Sequence, residues 1–121
     1  MPIATASGRR PNARLGTAKV EAHLAYRIEY SPETDRHLRV LSAGQRSTVF
    51  DAVDEQLVHQ PAVETRNRKP MRPNPLAPWE LRIGDLRVYY DVEEEPEKRV
   101  TILAIGVKRG NRVILGGEEF E

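Results

Sequence analysis

Two arginines that flank a short break, Arg82 and Arg87, are the residues in this sequence best placed to do chemistry, because of the pattern that carries them. In the segment 79–92, WELRIGDLRVYYDV, the apolar Trp79, Leu81 and Ile83 alternate with Glu80 and Arg82, and Leu86, Val88, Tyr90 and Val92 alternate with Arg87, Tyr89 and Asp91. Alternation of this kind predicts a β-hairpin with one apolar and one charged face. Gly84-Asp85 suits its turn, since glycine at the first central position takes the positive φ of a type II′ turn. The register that follows sets Ile83 against Leu86, Arg82 against Arg87 and Glu80 against Tyr89. Like charges directly across two strands cost a few tenths to ~1 kcal/mol. A phosphate gripped by both guanidiniums would relieve that cost; so would splaying into solvent, or pairing with Glu80 and Asp91.

That such a phosphate belongs to an RNA to be cut, with Arg87 and Arg109 at the reacting centre, is what the family resemblance described below implies, and the pattern alone does not say so. Cleavage of RNA by its own 2′-hydroxyl needs a proton acceptor, cations to steady the phosphorane, and an acid for the leaving 5′-oxygen. Arg82, Arg87, Lys108, Arg109, Lys69 and Arg72 are the cations expected to hold phosphate. Arginine is a poor proton shuttle, so Glu80 and Tyr89 are the base and acid this chain offers, beside Arg87 and Arg109 as catalytic cations. Each of the two needs an apolar or charge-coupled setting to reach a useful pKa. His23, His37 and His59 have no ligand-like spacing, so neither a metal site nor a histidine base is expected, and no cofactor is implied. Tyr90 reads as sheet packing.

These residues must be positioned by one small domain. Of 121 residues, 19 are Lys or Arg and 18 are Asp or Glu, so net charge alone does not announce a nucleic-acid binder. Distribution says more. Base collects at 66–72 and 108–112, acid at 93–97 and 118–121. The absence of cysteine excludes disulfides, thiolate catalysis and cysteine-bound zinc. No apolar run approaches the ~20 residues of a membrane span and no signal-peptide core is visible, so a soluble, cytoplasmic protein is expected.

Along the chain, residues 1–23 are rich in Ala, Gly, Pro, Thr and Arg without periodicity and read as a disordered extension, with 24–121 as the single domain. Tyr26, Ile28 and Tyr30 mark a first strand. Ser31 reads as a helix cap ahead of Pro32, and Leu38 and Leu41 give that helix an apolar edge. Ser42-Ala43-Gly44 breaks it. A second helix to about Gln60 carries Val49, Phe50, Val53 and Leu57 on one stripe, completing a helix hairpin over one face of the sheet. Between Pro61 and Pro78 lie five of the nine prolines, with Arg66, Arg68, Lys69 and Arg72. This stiff basic connection either grips a phosphate backbone or is a solvated linker. Residues 100–107, VTILAIGV, read as an interior strand, with Gly106 at a bulge or a close backbone approach. A turn at Gly110-Asn111 leads to a short edge strand at 113–115. The fold class expected is α+β, a twisted antiparallel sheet of about four strands with the helix hairpin on one face.

From residue 25 to 115 this order resembles the RelE/ParE superfamily of toxins from bacterial toxin-antitoxin modules. The resemblance rests on the R-I-G-D-x-R-V-Y-Y hairpin and the apolar strand ending in G-x-K-R, and is closest to a branch with N-R-K-P-M-R-P-N-P before the tryptophan. It implies a cognate antitoxin that wraps the toxin, and a target that is either messenger RNA on the ribosome, cut by the RelE type, or DNA gyrase, acted on by the ParE type. Arg87 and Arg109 fall on active-site positions of the nuclease branch. Pro78 and Glu80 stand where that branch has lysines, and Val113-Ile114-Leu115 where it has a catalytic tyrosine. The resemblance thus implies a metal-independent endoribonuclease toxin that inhibits translation. A gyrase-directed toxin, or a degenerate one kept for antitoxin binding and operon co-repression, are the alternatives.

Overall fold

The computed structural model describes residues 25–120; the extension read at 1–23 and His23 lie outside the described residues. In chain order the elements are β1 (Arg27–Tyr30), α1 (Glu33–Arg39), α2 (Ala43–Leu57), β2 (Arg68–Pro70), β3 (Trp79–Ile83), β4 (Leu86–Glu93), β5 (Arg99–Arg109), β6 (Arg112–Leu115) and β7 (Glu118–Phe120). The class is α+β as expected. The sheet is larger than expected, with seven strands in the order β2-β3-β4-β5-β6-β7 and β1 set against β5. β6 answers to the short edge strand expected at 113–115, whereas β2 and β7, which sequence reading leaves out, are only three residues long, too short for alternation to show. One pair, β1 with β5, is parallel; the rest are antiparallel.

β5 is the strand on which the molecule is assembled. One of its edges takes β4, and the other is shared, with β1 on residues 99–102 and β6 on residues 106–109. The interval between them is closed by the start of α1. The Ser31 N–H donates to the Ile102 carbonyl at 2.9 Å, the Ser31 hydroxyl to the Leu103 carbonyl at 3.4 Å, and the Ile105 N–H to Nδ1 of His37 at 3.2 Å. Ser31 therefore does not cap α1. Pro32 occupies the cap, where its ring has no polar group to bond with, and the serine hydroxyl goes to a strand carbonyl instead. The second helix begins with a full capping box between Ser42 and Gln45 and ends at Leu57, short of Gln60.

Val49, Val53 and Leu57 of α2 are fully buried against Leu81, Val88, Tyr90, Val100, Ile102 and Ile105. Phe50 of the expected stripe is 39% exposed and meets Tyr30 edge-on at 5.6 Å. Arg68 sits in this layer too. It is buried, with Nε donating to the Val63 carbonyl and Nη1 to the Gln56 carbonyl and Oε1, each at 2.9 Å. It ties β2 to the end of α2 and is a structural residue of the basic run. On the other face the proline-rich segment folds back over the sheet, packing Met71, Leu76 and Ala77 against Tyr89, Leu103, Ala104, Val113 and Leu115. Gly106 marks a close approach, since a Cβ there would meet Leu115 Cδ2 at 2.5 Å and the Ile114 carbonyl at 2.6 Å. Among the described residues, no helix is long and apolar enough to cross a membrane.

Candidate functional site

The hairpin has the register its sequence dictates. Ile83 pairs with Leu86, Arg82 with Arg87, Leu81 with Val88, and Glu80 with Tyr89, and Gly84 turns the chain at φ +57°. The strand period then puts Glu80, Arg82, Arg87 and Tyr89 on the face away from the helices. Glu80 decides how the facing arginines coexist. Its Oε1 accepts from Arg82 Nε at 2.8 Å, its Oε2 lies 4.0 Å from Arg87 Nε, and it accepts a hydrogen bond from the Tyr89 hydroxyl. Of the reliefs open to the arginine pair, pairing with the internal carboxylate is the one adopted.

The two arginines are not equivalent. The Arg87 side chain is 11% exposed and that of Arg82 49%. Arg87 Nη1 donates to the carbonyls of Gly84 at 2.6 Å and Leu86 at 2.9 Å, so it braces its own turn, whereas Arg82 faces solvent. Tyr89 is 1% exposed. Burial, and after it the Glu80 charge, raises its pKa far above the usual phenol range, so at neutral pH the hydroxyl stays protonated and holds Glu80.

Beside this cluster the basic segment supplies further cations. Lys69 lies opposite Glu80 across β2 and β3, with Nζ 3.6 Å from Glu64. Lys69, Arg72, Asn74, Glu80 and Arg82 line a groove of about 400 Å³. The sequence showed these cations in a run; what it concealed is the clamp that brings them over the hairpin. Asn74 Oδ1 accepts from the N–H groups of Leu76 at 2.7 Å and Ala77 at 3.0 Å. Its amide donates to the carbonyls of Arg72 at 2.6 Å and Ala77 at 2.9 Å. The Met71 N–H closes the loop on the Pro78 carbonyl at 2.8 Å. An asparagine between prolines was the available signal.

Arg109 is placed elsewhere. Arg87 pairs with Gly106, and the register stays regular from there to the Arg109–Arg112 pair, the one shift lying at Tyr89/Tyr90. An odd step of three residues puts Arg109 on the helix-covered face, where it lines a pocket of about 180 Å³ with His37, Leu41 and Ile114. Lys108 shares the face of Arg87. The expected convergence of Arg87 and Arg109 on one phosphate is therefore not what the fold makes: strand parity sets them on opposite sides of the sheet. Among the described residues, no group of three or more His, Asp or Glu is placed to hold a metal.

No family model matches this chain, and no curated protein matches it. Among solved structures, a chain of the toxin-antitoxin complex RelBE2 from Mycobacterium tuberculosis is similar to it, with a TM-score of 0.60. The two share a fold. The match spans 69% of this chain and 99% of that one at 23% identity, the level at which likeness speaks for architecture and the chemistry must be argued from side chains.

Proposed function

We propose that this protein is the toxin of a RelE/ParE-type toxin-antitoxin pair, acts in the cytoplasm, and is a metal-independent endoribonuclease directed at messenger RNA. The observation that carries the reading is the groove in which Lys69, Arg72 and Arg82 meet around Glu80, on the sheet face the helices leave uncovered. An RNA phosphate seated there meets a surplus of cations. Glu80, held by Arg82, Arg87 and Tyr89, takes the proton of the 2′-hydroxyl as that oxygen attacks phosphorus. The 5′-oxygen leaves with a proton from solvent, and a 2′,3′-cyclic phosphate remains. Tyr89 and Arg87 position the base and touch no substrate; Lys108 extends the cationic face toward the RNA backbone. A cognate antitoxin neutralises the toxin by covering this face. No cofactor takes part.

Two placements favour a second reading, a non-enzymatic toxin acting on DNA gyrase: Tyr89 is too buried to reach a leaving group, and Arg109 lies across the sheet. Induction in a bacterial host, with and without the neighbouring gene, separates the readings. Translation is expected to fall first, and the purified protein to cut RNA with Glu80→Gln slower by about 10²–10⁴-fold. Early loss of DNA synthesis without RNA cleavage selects gyrase. Normal growth leaves the degenerate toxin that only binds its antitoxin.

A further inference from the structure

The proline-rich loop has a second groove, on its far side from Arg82. It holds about 440 Å³, within the ~300–1,000 Å³ usual for small-molecule sites. Met71, Leu76 and Leu103 give it apolar walls, and Asp91 is the one carboxylate that lines it. Residues 71–74 line both this groove and the cationic one, so the two lie side by side and share a wall. Asp91 is two residues beyond Tyr89, the partner of Glu80, which sets it about 7 Å further along the sheet. That separation suits the reach from a phosphate across its ribose to the attached base. Asp91 Oδ1 accepts from the Val92 N–H at 2.8 Å. Its Oδ2 has no protein partner among the described residues.

From this juxtaposition we infer that the Asp91 groove is a guanine subsite, taking the base of a nucleotide whose phosphate lies among Lys69, Arg72 and Arg82. The inference rests on the RNA reading above and adds a base preference to it. A carboxylate only accepts hydrogen bonds, and its roughly four lone-pair sites leave room for a ligand beside Val92. Guanine alone among the RNA bases offers it two adjacent donors, N1–H and N2–H, on the Watson–Crick edge. Adenine and cytosine set an acceptor nitrogen beside their amino group, and uracil flanks its single N–H with carbonyls; each turns a lone pair toward the carboxylate. The apolar walls take the ring faces, as in other sites that read unpaired RNA bases.

The test uses the full chain and short 2′-O-methylated single-stranded RNAs, which cannot be cut, made of uridine except for one central guanosine, inosine, adenosine or cytidine. Fluorescence anisotropy is expected to show the guanosine strand binding at least about tenfold tighter than the adenosine, cytidine and all-uridine strands, with inosine between. Asp91→Asn, which keeps an acceptor for the Val92 N–H and so the fold, should bring all strands within about twofold of one another at unchanged all-uridine affinity, whereas Arg82→Ala should weaken every strand alike. Binding that is salt-sensitive and Arg82-dependent, yet blind to the central base or still guanine-selective in Asp91→Asn, overturns the subsite and leaves the cationic groove standing. No binding by any strand overturns both.

Discussion

Glu80 neutralises the hairpin's facing arginines through the same contacts on which its proposed role as base depends. Without it, the facing pair would carry two positive charges on adjacent strands; with it, Arg87 can lie nearly out of solvent while Arg82 stays exposed. The arginines should separate experimentally. Arg82→Ala removes an exposed ion pair and is expected to shift urea-unfolding stability by no more than ~1 kcal/mol. Arg87→Ala strips two carbonyls of their donor and leaves Glu80 less well neutralised in a half-buried place, at an expected cost of ~1–3 kcal/mol. Loss of activity in Arg87→Ala is thus evidence of catalysis only if corrected for folding. None of this asymmetry is legible in the sequence. R-I-G-D-L-R is symmetric about its turn, and the difference arises from which guanidinium curls back on the turn's own carbonyls. Arg68 teaches the same lesson, since a basic run does not announce that one member is buried against a helix end.

At the scale of elements, legibility followed length. β3 and β4 alternate over enough residues to fix period, turn and register, so the cross-strand pairs were readable before any coordinates. β2 and β7 have three residues each and owe their strand geometry to the neighbour they pair with. Arg109 shows how this limits a site: its position in the chain was readable, but which face it takes depends on counting parity through β5. Gly106 is the element-scale test. A methyl group there would press on the backbone and side chains of β6, so Gly106→Ala is expected to destabilise by more than about 2 kcal/mol and to speed amide exchange at residues 112–120 while β3 and β4 stay protected.

The molecule as a whole depends on the union of α1 with the shared edge of β5, and that union is sensitive to pH. His37 is 4% exposed and must be unprotonated at Nδ1 to accept from the Ile105 N–H. Burial, with the Arg36 charge added, lowers its pKa, partly opposed by Glu33 and Glu118. The unfolded chain therefore binds the proton first, at about pH 6.5. Stability from this contact is intact above that pH and declines as pH falls toward the lower folded-state value. Denaturation midpoints should drop between about pH 7.5 and about pH 5.5 in the native protein, and stay flatter in His37→Asn, whose amide oxygen replaces Nδ1 without titrating. A flat native profile would remove His37 from this role.

The crowding of partners around β5 also governs when the protein first exists. β5 begins at residue 99, so a ribosome has already added both helices and the hairpin before β1 and β4 acquire the strand that joins them. A nascent or prematurely terminated chain ending ahead of that point carries the hairpin and its cations with no scaffold to hold them. The cationic face is thus assembled only once the residues from 99 onward have been added, a delay written into strand order.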